Sequence, residues 1–273
     1  MQSEQTLDLL EIKTIAEDIA MQAAERLMEH FGGHLDQLTK ATVFDVVTQA
    51  DQEAEAVIVS ELTRHFPQHH IVGEEGGGMG APIESAEYRW YVDPLDGTSN
   101  FANAIPVFSV SIALTDHTMQ PLIGVVYDPT RKEMFAAIAG NGTTLNDEPV
   151  RVSVATALES GIFASGFPYD KATNPDNNLK QWSAFVTRTR GMRRMGSAAL
   201  DLCYVAAGRF DGYWEINLNP WDCLAGGLCV REAGGIVSDY AGNESPEIFS
   251  GKRIVASNGK LHPLMLSLLN NPS

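Results

Sequence analysis

Three short apolar runs, 107–114, 122–127 and 133–138, follow one another along the chain and read as consecutive strands of an antiparallel meander. Helical periodicity precedes them. Leu10, Ile12, Ile15, Ile19 and Leu27 recur at helix spacing within 7–31, and Gly32 with Gly33 ends the pattern. A second amphipathic helix is predicted over 51–66, stopped by Pro67, and β-like runs follow at 70–73 and 89–92. Beyond the meander the spacing predicts helices over 179–190, 197–207, 222–233 and 261–269, with a strand at 253–256. Helices and strands thus come in blocks, without a strict βαβ rhythm. That order implies an α+β (mixed α/β) layered fold.

The 273 residues suffice for one large domain or two modest ones. We expect a single domain over 1–273, with two lobes at about 1–145 and 146–273. Acidic residues outnumber basic ones 35 to 19, for a formal charge of -16, which opposes non-specific nucleic-acid binding. A small phosphorylated substrate remains compatible if bound cations reverse the field locally. No basic n-region with an apolar core opens the sequence, and no apolar run is long enough to span a membrane. Cys203, Cys223 and Cys229 are odd in number and form no CxxC pair, against a disulfide framework or zinc site. The expectation is a reduced, cytoplasmic protein of enzyme size.

The informative residues are acids in four segments: FDVVTQAD with Asp45, Thr48 and Asp51; VGEE with Glu74 and Glu75; WYVDPLDGTSNF with Asp93 and Asp96; and NPWDCLAGG with Asp222. In the third, Trp90 to Val92 build a strand, Pro94 donates no hydrogen bond, and Gly97 supplies a sharp turn. Such a turn aims two carboxylates, and the freed Leu95 carbonyl, at one point. Hard divalent cations take oxygen ligands of this kind. Gly97, Thr98 and Ser99 offer N–H groups and hydroxyls to an anion. Each segment alone also has a plain structural reading: a surface turn for DPLDG, helix caps for Asp51 and Asp222, a solvated loop pair for Glu74 and Glu75. The glycine-rich stretch 76–84 lacks the ending of a P-loop and is expected to be a mobile loop. His69 and His70 are read as structural or surface residues, because an all-oxygen site needs no imidazole, and Asp239 as a turn acid.

Together and in this order, the four segments, followed by REAGG at 231–235, resemble the inositol monophosphatase family of Mg²⁺-dependent, lithium-sensitive phosphatases. The resemblance covers most of the chain and implies a layered αβαβα sandwich, commonly dimeric. It implies two to three Mg²⁺ ions: a first on Glu74, Asp93 and the Leu95 carbonyl, a second on Asp93, Asp96 and Asp222, and a weaker third near Glu74. Asp51 and Thr98 match residues that hydrogen-bond around the nucleophilic water, which Glu74 and Thr98 would orient for in-line attack on phosphorus. Lys40 matches a basic residue of the same pocket. Gly196, Ser197 and Ala198 match positions lining the substrate side, together with Asp96, Gly97, Thr98 and Asp222, and Glu215 matches a contact to substrate hydroxyls. Leu224 departs from the family's usual Ala, on the helix behind Asp222. The implied substrate is inositol 1-phosphate or a related polyol monophosphate. Alternatives are fructose 1,6-bisphosphate, histidinol phosphate or 3′-phosphoadenosine 5′-phosphate, and, in another class, a regulatory role with the transcription machinery. No direct nucleic-acid binding and no membrane partner are expected.

Overall fold

The computed structural model describes residues 8–33, 37–39 and 46–272, and the predicted positions Lys40 and Asp45 lie outside them. Helix α1 (Leu9–His30) starts where Asp8 accepts the N–H groups of Leu10 and Glu11. It ends before Gly32, whose φ of 78° suits a residue without Cβ. Its buried stripe runs through Ile12, Ala16, Ile19, Ala20, Ala23 and Leu27. After the short antiparallel pair β1 (Gln37–Thr39) and β2 (Val46–Thr48), α2 (Gln49–His65) packs beside α1.

The large sheet is built from β3 (His70–Gly73), β4 (Gly77–Gly80), β5 (Tyr88–Asp96), β6 (Ser109–Asp116), β7 (Pro121–Asp128), β8 (Glu133–Ile138), β9 (Gly142–Leu145) and β10 (Glu148–Val150). Their order is β10-β9-β8-β7-β6-β5-β3-β4, antiparallel except for the parallel pair β3 and β5. The predicted meander is its centre. A five-residue helix, α3 (Thr98–Ala102), follows β5. Two expectations are corrected. The stretch 76–84 is not simply a loop, because β4 pairs antiparallel with β3 and closes the sheet edge. The DPLDG segment is not a turn after a short strand. β5 continues to Asp96 through a register shift between Asp93 and Asp96, a bulge that spares the proline a ladder bond.

The second sheet has the order β12-β11-β13-β15-β14, from β11 (Ile162–Ser165), β12 (Gly191–Arg193), β13 (Gly212–Ile216), β14 (Ile236–Ser238) and β15 (Arg253–Ser257). Its remaining helices are α4 (Leu179–Val186), α5 (Ala198–Ala206), α6 (Pro220–Glu232) and α7 (His262–Asn270). Helix α4 is shorter than predicted, since 191–193 leaves the helical path to form β12. Helix α6 begins two residues early, so Asp222 sits in its first turn and is not its cap.

The layers follow from what each element buries. Helices α1 and α2 cover one face of the large sheet around Ile19, Leu27, Ile58, Trp90 and Ile112. Helices α5 and α6 fill the space between the sheets with Leu202, Cys203, Leu228 and Cys229, and Phe249 from the turn at 246–250 packs against them. Helices α4 and α7 cover the outer face of the small sheet, where Phe185 and Trp214 approach to 4.0 Å between ring centroids. This is the αβαβα sandwich. Each fully buried Leu, Ile or Phe in it is worth roughly 1.5–3 kcal/mol. Helix α6 lies so close to β7 that a Cβ on Gly124 would stand 2.5 Å from the Ala225 carbonyl oxygen. The three cysteines are free and buried.

Both ring nitrogens of His262, at the start of α7, meet buried serine hydroxyls: Ser238 at 2.7 Å and Ser257 at 2.8 Å. Burial holds the imidazole down to about 4. A depressed folded pKa means that the neutral ring stabilises the fold above about 6.5, the ordinary histidine value, and that this contribution is lost as pH falls through about 4. Urea unfolding at pH 7 and pH 5 should therefore show a smaller acid loss of stability in His262→Asn than in the wild type. Equal losses would exclude the histidine as a source.

Candidate active site

Parallel pairing sets the first half of the site. Gly73 on β3 is in register with Val92 on β5, so the next residues, Glu74 and Asp93, leave the two strands abreast. The Glu74 N–H donates to the Val92 carbonyl at 3.2 Å, and the two carboxyl groups share a hydrogen bond. Asp93 is 2 % exposed. Burial pushes its carboxyl well above the usual range, and the charges of Glu74, Asp96 and Asp222 push it further. Its Oδ1 accepts the Leu95 N–H at 2.9 Å inside the bulge.

Asp96 is held from a segment 101 residues away. Its carboxylate accepts the Ser197 hydroxyl at 2.6 Å and the N–H groups of Ala198 and Ala199 at 3.2 and 2.7 Å. The acid thus sits on the positive end of α5, which Ser197 caps. These bonds hold its pKa down, yet burial prevails and raises it to about 6. Gly97 carries a φ of 107°, and a Cβ there would meet the Val107 oxygen at 2.9 Å, so glycine is needed for both reasons. The Thr98 hydroxyl lies 3.2 Å from Asp51 Oδ1 on α2 and 3.1 Å from the Leu95 carbonyl. Asp222 accepts the Asn219 N–H at 2.7 Å, and burial pushes its carboxyl well up.

Glu74, Asp96, Gly196, Ser197, Ala198, Glu215 and Asp222 line one cavity of about 120 Å³. Glu215 is a buried acid on β13. Burial raises it to about 7 against the opposing effects of Arg194 and of the Tyr213 hydroxyl, which donates to it at 2.5 Å. Gly166 makes room for it, since a Cβ there would stand 2.0 Å from its Oε1. Leu224 is fully buried in the core around α5 and α6 and lines no part of the cavity.

The sequence reading did not single out Arg194, Asp201, Tyr213 or Glu55. Asp201 is buried one turn along α5 from Ser197, with Oδ1 lacking a hydrogen-bond partner. Tyr213 alternates with Glu215 on one face of β13. Glu55 follows Asp51 at helix spacing on α2, a signal that was available. His69 and His70 are structural: His69 Nδ1 accepts the Trp90 indole N–H at 3.0 Å, and His70 Nδ1 donates to the Ala81 carbonyl at 2.8 Å. Asp239 accepts the Ala241 and Asn243 N–H groups in a local turn. The larger cleft, about 1310 Å³, lies around Tyr240, Arg253 and Leu266, and its acids are Asp239 and Glu247. It shares no lining residue with the cavity of the converging carboxylates.

Among the described residues, no three acidic, histidine or cysteine side chains are already fanned around one point as a ready cation cage. The carboxylates are turned onto internal donors and one another. The donor chemistry nevertheless fits hard divalent ions. Asp93 feels Glu74, Asp96 and Asp222 as mutually repelling charges in a buried pocket, and oxygen is the donor such ions prefer.

Three helical layers around two sheets, with acids gathered where strand and helix ends meet, define an αβαβα sandwich with one acid-lined cavity. The chain belongs to the inositol monophosphatase family, whose profile matches residues 8–272. It is 44% identical over 248 residues to a Synechocystis protein named inositol-1-monophosphatase, covering 91% of this chain and 85% of that one. It is 42% identical over 259 residues to the Nus factor SuhB of Pseudomonas aeruginosa, covering 92% and 94%. The solved inositol monophosphatase of Anabaena (Nostoc) superposes with a TM-score of 0.86 at 40% identity, covering 98% of each chain. Among the described residues, no helix is long and apolar enough to cross a membrane.

Proposed function

We propose that the protein is a Mg²⁺-dependent phosphomonoesterase that hydrolyses inositol 1-phosphate and related polyol monophosphates. The observation that carries this reading is the convergence of Glu74, Asp96 and Asp222 on one cavity, beside an Asp93 whose carboxyl all three repel. Glu74, Asp93, Asp96, Asp222 and the Leu95 carbonyl would hold the ions. Bound there, divalent cations supply neutralisation of phosphoryl charge and a lowered pKa for water.

The chain's own groups do the rest. When Thr98 donates its proton to Asp51, its oxygen is free to accept one from the attacking water, so the pair orients that water. Glu74, beside Asp93, is placed to take the proton released. The α5 N-terminus keeps Asp96 in place. Glu215, steadied by Tyr213, presents carboxyl oxygens to substrate hydroxyls, which suits a polyol. The similarity to the Synechocystis inositol-1-monophosphatase supports the same substrate class.

The test is phosphate release from inositol 1-phosphate, fructose 1,6-bisphosphate, histidinol phosphate and 3′-phosphoadenosine 5′-phosphate, with Mg²⁺ and with chelator, followed by lithium titration. Mg²⁺-dependent release favouring inositol 1-phosphate is expected. Release that ignores the chelator, or none from any monoester, would overturn it. The second outcome would favour the regulatory alternative that the sequence leaves open, and the Pseudomonas relative is itself named a Nus factor.

A further inference from the structure

Glu55 lies on α2 and is 5 % exposed, a carboxylate enclosed by protein. Its Oε2 accepts the Glu75 N–H at 2.9 Å. It also occupies the space that two absent side chains leave. A Cβ on Gly73 would stand 2.6 Å from Oε2, and all three of its nearest atoms would belong to Glu55; a Cβ on Gly76 would stand 2.7 Å from Oε1. Neither glycine has a positive φ. At these positions glycine serves space and not backbone conformation.

The bond reaches Glu74 through the peptide plane. The Glu74 N–H is fixed on the Val92 carbonyl. Its other flanking peptide ends in the Glu75 N–H, fixed on Glu55. With both peptides anchored, the direction of the Glu74 Cα–Cβ bond is set, and from there its carboxyl reaches Asp93. One turn earlier on the same helix, Asp51 receives the Thr98 hydroxyl. One face of α2 therefore braces both acid-bearing segments, Glu74–Glu75 and Asp93–Thr98.

We infer that Glu55 is a positioning residue for the cation site: its carboxylate, seated in the notch left by Gly73 and Gly76, orients the Glu74 turn for ligation. The inference rests on the proposed Mg²⁺-dependent reading and adds to it a residue that touches neither substrate nor ion. Helix α2 becomes a functional part of the site as well as a cover for the sheet.

Calorimetric titration of the metal-free full chain with Mg²⁺ tests it, alongside the Mg²⁺ dependence of phosphate release and thermal unfolding of each variant. Glu55→Ala is expected to weaken Mg²⁺ binding at least tenfold and to raise the Mg²⁺ needed for half-maximal rate by a similar factor, leaving the KM for substrate at saturating Mg²⁺ near the wild-type value. Glu55→Gln, whose amide oxygen still accepts the Glu75 N–H, should stay within about threefold. Gly73→Ala should weaken Mg²⁺ binding, because its methyl contests the notch. Combined with Glu55→Ala it should add little, since the atoms it contests are gone. Should Glu55→Ala not fold, Glu55→Asp, one methylene short of the turn, takes its place in the cycle. Wild-type-like Mg²⁺ binding by Glu55→Ala, or additive losses in the double variant, would overturn the inference while leaving the phosphatase reading intact. A wild type that binds no Mg²⁺ would overturn both.

Discussion

Asp93→Asn is expected to lower phosphate release by about a thousandfold or more, equivalent to roughly 4 kcal/mol of transition-state stabilisation. Asp93 is the acid on which the charges of Glu74, Asp96 and Asp222 all act. On the proposed reading it serves both ions, so no other side chain can replace it. The fold should tolerate the change. Asparagine keeps the shape and the oxygen that accepts the Leu95 N–H, and it removes a carboxyl that burial already opposes. Metal-free Asp93→Asn should therefore unfold at the wild-type temperature or above it while losing Mg²⁺ binding. Initial rates within about tenfold of wild type at saturating Mg²⁺ would contradict the assignment.

The second large effect is on stability and depends on pH. Glu215 is raised from 4.5 to about 7 and Asp96 from 3.8 to about 6. A raised folded pKa means that the folded state holds the proton more tightly than the unfolded chain. The stabilisation is full below the ordinary carboxyl values and is lost as pH rises through about 6 to 7. Shifts of this size correspond to a loss on the order of 2–3 kcal/mol per group. Because His262 acts in the opposite direction over part of the range, the informative comparison is Glu215→Gln against wild type, in which the histidine cancels. In metal-free protein, the variant should gain on the wild type by that order between pH 5 and pH 8, measured by urea unfolding. The Tyr213 hydroxyl can still donate to the amide oxygen, so the bond in the site survives. A difference unchanged across the range would show that Glu215 is ionised throughout. Millimolar Mg²⁺ should raise the wild-type unfolding temperature, more at pH 8 than at pH 5, because protons and cations compete for the same oxygens.

Much of the fold is legible locally. The α1 stripe, the meander strands and the glycine stops are statements about periods of 3.6 and 2, and they survive in the structure to within a few residues. What is not legible has identifiable causes. Strands β9, β12 and β14 are only three or four residues long and too short to show alternation. The glycine-rich 76–84 carries no β propensity, yet it holds β4 because an unpaired edge of β3 is available. Asp222 and Asp51 look like helix caps in sequence, since Asp is a leading cap residue, but Asn219 and Pro220 start α6 earlier and α2 already begins at Gln49.

For the site, the sequence by itself determined the inventory: which acids exist, that they stand at strand and helix ends, and that glycine, proline and small residues accompany them. Tertiary structure decided the rest. Only the parallel register of β3 and β5 sets Glu74 abreast of Asp93, and only the approach of α5 places Ser197 and Ala199 on Asp96. Glu55 is a polar helix residue in sequence and a buried brace in space. The physical reason is one of range. Backbone preference and hydrophobic period act over a few residues, whereas a carboxylate's pKa and partners depend on whichever charges and donors the folded chain brings close, here from segments as far apart in sequence as Glu74 and Asp222.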